Sequence, residues 1–390
     1  MTTSPTPTLF PNVSAGDLPG ETHREAASRD FGTLGCGVTA HDQRHEAKPA
    51  TERTGLARLA ASSPCAQAKR DTEYFLLPVR SILNHCDSER VPFAWTINPY
   101  RGCEFGCRYC YARYTHEFLD LDGSEFERKI YVKQNAAAIL ARDLTERHAR
   151  LKTGVTGEDA GLKPGATWEH IAIGTATDPY QPAEREFGVT RSLLERFAER
   201  RGLSLSITTK SNLIVRDIAL LRRIAENNSL SINLTVTTLR PRLARLLEPR
   251  APRPDLRLAA LRALREAGLS AGVFAMPILP GLTDRDADLD ALCGAARDAG
   301  AQWLGAQVVF LTSAAQKEFF PFLADKFPKL ARQYHKWYAR SSYAPQFLQK
   351  EIAGRVRAVR EKYGLASRPY APDRMAGAMA SPQMALPLAG

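Results

Sequence analysis

The sequence predicts an α/β fold built on a parallel sheet, and three observations carry that prediction. Six short runs rich in Ile, Val and Thr alternate with longer helical stretches, the pattern of a repeated βα unit. Helix-like segments end on Gly202, Gly268 and Gly300 a few residues before such runs, as a left-handed helix cap requires. The chain has 390 residues, 44% of them hydrophobic and 24% charged, enough to bury a large core.

The strand candidates are residues 93–100, 170–174, 203–208, 231–236, 271–276 and 303–310. Before the fourth, Asn227 and Asn228 stand where the other helices have a glycine, and could serve as the cap. Leu258, Leu261 and Leu264 recur at helical spacing and predict a face packed on the sheet. Beyond Phe310 the chain reads as helices, including 328–340 and 345–363, whose aromatics Phe319, Phe320, Phe322, Tyr334, Trp337 and Tyr338 are expected in a core or lid. Residues 1 to about 70 are rich in Thr, Ser, Pro and Gly with no sustained period, so they are expected to be disordered. A core over 71–315, a helical extension over 316–370 and a flexible Ala, Pro and Met tail over 371–390 complete the expected organisation.

Net charge is +11, from 53 Lys and Arg against 42 Asp and Glu, which permits attraction to phosphate-bearing partners. No block of like charge or basic stripe with interleaved aromatics accompanies it, so nucleic acid is a possible partner only. No run of eighteen apolar residues and no secretory pattern at the first residues are present, which places the expected location in the cytoplasm, with no membrane partner. Cys36, Cys65, Cys86 and Cys293 lack metal-ligand spacing and are expected to be free thiols.

Cys103, Cys107 and Cys110 differ: they fall within eight residues and have no fourth cysteine nearby. A 4Fe-4S cluster is usually held by four thiolates, so three leave one iron open to a ligand. Three protein ligands are also the sign of catalytic zinc, and adding His116 gives C-x3-C-x2-C-x5-H, a closed Cys3His zinc alternative. The cysteines follow the first strand candidate at its C-terminal end, the rim where βα barrels collect catalytic groups.

The C-x3-C-x2-C spacing with Tyr109 before the last cysteine resembles the signature of the radical S-adenosylmethionine (SAM) superfamily. That resemblance implies a partial (β/α)6 TIM-like barrel and a 4Fe-4S cluster on Cys103, Cys107 and Cys110. It implies SAM chelating the open iron, with the Tyr109 backbone toward the adenine. It also implies reductive SAM cleavage, a 5′-deoxyadenosyl radical that takes hydrogen from an unidentified substrate, and a reducing partner such as a flavodoxin or ferredoxin. The stretch from Ser231 through Thr237, Glu248-Pro249 and Gly272 to Pro277 is similar to the spore photoproduct lyase branch. Tyr109 to Arg113 and Thr177 to Pro182 are similar to bacterial lyase-like proteins of undetermined substrate.

Candidate SAM contacts follow from the same resemblance. Thr175, Thr177 and Asp178, after the second strand candidate, could accept from the SAM amino group, or could instead shape a turn before Pro179. Lys210 matches a lysine that meets the SAM carboxylate, and Thr237 a serine that hydrogen-bonds SAM. One departure stands out: Thr175 occupies the place of a cysteine that returns hydrogen to the lyase product, and neither Cys86 nor Cys293 is an obvious substitute. A DNA photoproduct lyase-like repair enzyme and a nucleic-acid-binding protein with a structural Cys3His zinc site are the alternatives.

Overall fold

The computed structural model describes residues 53–86, 91–153 and 170–367, with side chains omitted for 146–153. Along the chain, β1 (Cys65–Lys69) and β2 (Thr72–Pro78) form a hairpin in which Lys69 faces Thr72. β3 (Asn84–His85) runs antiparallel to β4 (Trp95–Ile97), and β5 (Tyr100–Arg101) and β6 (Lys129–Gln134) follow. β7 (Ile171–Ile173), β8 (Ser204–Thr209), β9 (Ser229–Thr235), β10 (Ala271–Ile278) and β11 (Leu304–Val308) each come after a helical segment.

The larger sheet has the order β3-β4-β7-β8-β9-β10-β11, and from β4 to β11 every neighbouring pair is parallel and follows in chain order, with β5 and β6 leaving for the other sheet between β4 and β7. Six parallel strands with helical crossovers make a partial six-stranded βα barrel, open between β4 and β11. Its strands are buried on both faces, with Leu205, Ile207, Ile232 and Leu234 on one side and Ser206, Asn233 and Thr235 on the other. Leu261 and Leu264 of the helix Pro254–Glu266 are fully enclosed against the sheet, with Leu258 partly so.

Gly202, Gly268 and Gly300 all have positive φ, at 75°, 79° and 81°, and each ends a helical segment before a strand. The asparagine pair works differently. Asn228 is extended at φ −139°, so it is no left-handed cap. Its amide donates to the carbonyls of Arg200 and Ile224, and its Oδ1 accepts from Leu203 N, which closes the turn through the side chain.

Trp303 sets the inside of the barrel at β9 to β11. Its indole donates to Asn233 Oδ1 at 3.0 Å, and its ring lies where a Cβ on Gly272 would come within 2.5 Å. Only glycine leaves room there. The helix Gln346–Lys362 packs on β11, while Ser313–Lys326 packs against the 3-10 helix Tyr111–Leu119 and carries Pro328–Trp337 on it. Tyr334 donates to Pro280 O and Tyr338 to Val309 O, and Phe319, Tyr334 and Tyr338 are buried with Phe320, Phe322 and Trp337 packed around them. The expected packing role of these aromatics is what the fold uses.

Two expectations are corrected. Ordered structure begins before residue 70, because Gly55–Ala61 is helical and β1 starts at Cys65. Ala60 buries against Leu77, Leu119 and Tyr131, an anchorage hidden from composition. The expected strand 93–100 is also split: β4 belongs to the barrel, while β5 joins a separate four-stranded sheet, β1-β2-β6-β5. The expected disorder of residues 1–52 and the flexible tail from 371 lie outside the described residues.

Candidate metal centre and cofactor pocket

The cysteine loop leaves β5 and is fastened along its length. Gly102 adopts φ 83°, and a Cβ there would lie 2.7 Å from Phe126 O and 2.8 Å from Lys129 O. Its carbonyl accepts from Thr177 Oγ1 at 2.6 Å and from Gln181 Nε2 at 3.2 Å. Cys103 N donates to Phe126 O, Glu104 N to Gln181 Oε1, and Arg108 N to Leu247 O. The Glu104 carboxylate in turn accepts from Ala183 N and the Tyr74 hydroxyl, so the loop is tied to both sheets' surroundings.

Cys103 and Cys107 are each 8% exposed, and Cys110 is half-buried. Burial pushes all three thiols up, Cys107 to about 12, so they gain as ligands to a cation that replaces their protons. Lys210 and Arg257 counter the burial at Cys107, and Arg113 and Lys210 at Cys110. A ring of cations around three thiols suits a centre whose ligands carry negative charge. Among the described residues, no three His, Cys, Asp or Glu side chains converge closely enough to hold a single metal ion. Three thiols on one fastened loop, ringed by cations, are a donor set that would fit a 4Fe-4S cluster with one iron open.

His116 does not complete the set. It is fully buried in the 3-10 helix Tyr111–Leu119, its Nε2 bonds Lys129 O at 3.0 Å, and its ring meets Phe126 edge-on at 5.2 Å. The Cys3His zinc alternative is corrected on that geometry. Cys65, Cys86 and Cys293 are unpaired among the described residues, and Cys36 lies outside them.

Beside the cysteines, the ends of β7, β8 and β9 form a polar rim. Thr177 is 7% exposed, with its hydroxyl donated to Gly102 O and accepting from Gln181 Nε2 at 3.0 Å, so it positions the cysteine loop. Asp178 accepts from Thr209 Oγ1, Lys210 N and Tyr180 N, which fixes the end of β8 against the loop after β7. Burial raises its carboxyl, and those hydrogen bonds oppose the rise. Thr175 Oγ1 accepts from Asn98 Nδ2 at 3.1 Å, and its carbonyl accepts from the Tyr111 hydroxyl.

Lys210 places its ammonium 5.9 Å from the centroid of the Tyr109 ring and makes no ion pair among the described residues. Burial works against its charge, but Cys107 and Glu248 outweigh that and hold it above the usual lysine range. Tyr109, from the cysteine loop, reaches Thr237 Oγ1 at 3.1 Å, and both hydroxyls donate to Glu248 Oε1. Glu248 Oε2 accepts from Arg257, whose other nitrogens donate to Pro252 O and Thr235 O. Burial pushes Glu248 up, yet Arg257 and Lys210 prevail and leave it below the ordinary carboxylate value.

The structure thus gathers Tyr109, Thr175, Thr177, Lys210 and Thr237 around the cysteine rim. Sequence reading missed Gln181, Glu104, Arg257 and Asn98. Gln181 stood inside the Thr177 to Pro182 string and could have been found there, whereas Arg257 sits on a helix expected only to pack.

A partial βα barrel whose first parallel strand leads to a three-thiol loop at the rim defines the class: an α/β barrel protein with three cysteines gathered at one end of its strands. Residues 97–293 match the radical SAM superfamily, and the chain belongs to it. An uncharacterized protein of Mycobacterium tuberculosis (strain ATCC 25618 / H37Rv) is 34% identical over 331 residues, covering 84% of this chain and 91% of the relative. An uncharacterized protein of Methanocaldococcus jannaschii is 29% identical over 196 residues, 50% of this chain and 64% of that one. Among solved structures, spore photoproduct lyase complexed with a dinucleoside spore photoproduct superposes with TM-score 0.54 at 18% identity, covering 74% of this chain and 80% of that one. At that identity the likeness is one of fold.

Proposed function

We propose that the protein binds a 4Fe-4S cluster through Cys103, Cys107 and Cys110 and cleaves SAM reductively to abstract hydrogen from a substrate. The single observation that carries the reading is the trio of buried and half-buried thiols on one fastened loop, beside a lysine that makes no ion pair among the described residues. When bound, the reduced cluster would supply one electron to the SAM sulfonium, releasing methionine and a 5′-deoxyadenosyl radical that takes hydrogen from substrate.

The chain's own residues supply the rest. Lys210 would meet the SAM carboxylate, an interaction that compensates its desolvated ammonium. Tyr109 and Thr237, held by Glu248, would form the wall facing the adenosyl group. Thr175 retains acceptor capacity toward the SAM amino group, while Thr177 and Asp178 act as positioning residues. A low-potential one-electron donor, such as a flavodoxin or ferredoxin, is the expected reducing partner.

The test is direct. Anaerobically reconstituted protein, reduced with dithionite, is expected to release 5′-deoxyadenosine from SAM, and Cys107→Ala to lose both iron and product. Wild-type protein with full iron and sulfide that never cleaves SAM overturns the reading.

A further inference from the structure

Near one face of the smaller sheet, several polar side-chain atoms stand without partners among the described residues. Antiparallel pairing sets Arg101 of β5 opposite Tyr131 of β6. Lys133 lies two residues further along β6, so Arg101 and Lys133 are diagonal neighbours on one face, within reach of long side chains. Lys133 is 6% exposed, its parallel cross-strand neighbour is the fully buried Leu77, and its ammonium has no hydrogen bond or ion pair among the described residues. Arg101 Nε is buried and unpartnered.

His116 covers the same face, its ring 6.2 Å from that of Tyr131. Because Nε2 bonds the Lys129 carbonyl, it carries the proton, and the buried Nδ1 is left as an acceptor with no donor. Tyr114 lies near enough to Arg101 to influence its charge. The carboxylate that influences His116 is Glu125, and it is already paired with Lys129 at 2.6 Å. A buried ammonium beside a half-buried guanidinium, with no counter-charge among the described residues, is costly for a protein to keep unless an anion completes the site. Burial and then Arg101 push Lys133 down to about 7, in line with that cost.

We propose that Arg101 and Lys133 form a subsite for a phosphate group of the substrate. The guanidinium offers a planar fork and the ammonium a point charge, a pairing suited to a tetrahedral oxyanion, while His116 Nδ1 can accept from a protonated oxygen. Arg101 is two residues before Cys103 and Tyr114 four after Cys110, so the subsite flanks the cysteine loop on both sides in sequence. Its role as a substrate subsite rests on the radical SAM reading; its affinity for phosphate does not.

Inorganic phosphate is titrated calorimetrically into the anaerobically reconstituted full chain at constant chloride ionic strength. Wild type is expected to bind saturably with one site, and Lys133→Met and Arg101→Gln each to weaken binding at least about tenfold. Circular dichroism confirms that both variants are folded, and Lys350→Met, exposed and remote in sequence, serves as the control. Dimethyl phosphate separates the sources: stronger binding than phosphate supports a diester group, weaker binding a terminal one, and either supports the subsite. No saturable binding, variants within twofold of wild type, or acetate bound as well as phosphate overturns it. SAM cleavage without phosphate binding would leave the enzymatic reading standing and this subsite refuted; phosphate binding without SAM cleavage would leave an anion site at Arg101 and Lys133 and overturn its role in SAM chemistry.

Discussion

Lys133 shows how a single residue can set the pH response of the molecule. Its ammonium is pushed from 10.5 to about 7 by burial and by Arg101. Above about 10.5 the group is neutral folded or unfolded. As the pH falls, the unfolded chain takes up the proton first, so stability drops between about 10.5 and 7 and then levels off. In phosphate-free buffer, the stability of wild type relative to Lys133→Met is therefore expected to rise from pH 7 to 10, by a few kcal/mol in total, read from denaturant midpoints. A flat difference would contradict the burial. Glu248 is the converse case, a buried carboxylate fully paired by Arg257, Tyr109 and Thr237. Glu248→Gln leaves Arg257 charged and unpaired, and is expected to cost about 3–5 kcal/mol in urea unfolding.

At the scale of elements, strands and caps were readable because their causes are local. Ile, Val and Thr runs mark β7 to β11, and Gly202, Gly268 and Gly300 mark helix ends at positive φ. β5 and β6 were not readable in the same way. β5 is two residues long and acquires its strand geometry only by pairing Tyr100 with Val132 and Arg101 with Tyr131. Asn228 likewise replaced the expected cap with side-chain bonds to a segment more than twenty residues away. Gly272 is a demand made between elements: a Cβ would meet three Trp303 ring atoms within 2.6 Å. Gly272→Ala is expected to cost about 1–3 kcal/mol, because the buried indole must shift and strain its bond to Asn233. Thermal unfolding with tryptophan fluorescence would register both the loss and the altered indole environment; an unchanged midpoint would refute the close packing.

At the scale of the molecule, the C-terminal helices complete the edge of the barrel. Leu348, Ile352 and Val356 of Gln346–Lys362 are 0–4% exposed, and Leu304 N donates to Ala366 O, so the last described segment joins β11 directly. Burying three aliphatic side chains is worth roughly 5–9 kcal/mol, comparable with the whole stability of a domain. A chain ending at residue 345 is expected to lose its cooperative unfolding transition and to be cut rapidly in limited proteolysis. A truncated chain that unfolds as cooperatively as the full one would show the helices to be an appendage. Among the described residues, no helix is long and apolar enough to cross a membrane.

The sequence by itself determined the parallel βα order, the rim position of Cys103, Cys107 and Cys110, and the set of polar residues that follows the strands, because periodicity and short spacings are local properties of a chain. The tertiary structure decided what those residues are free to do. It committed Thr177 to the Gly102 carbonyl, turned His116 away from the cysteines and linked Tyr109 to Arg257 through Glu248. It also set Arg101 and Lys133, without an ion pair among the described residues, diagonally on one face of a sheet that composition did not reveal. Hydrogen-bond satisfaction and charge burial depend on neighbours distant in sequence, and only the folded chain brings those neighbours together.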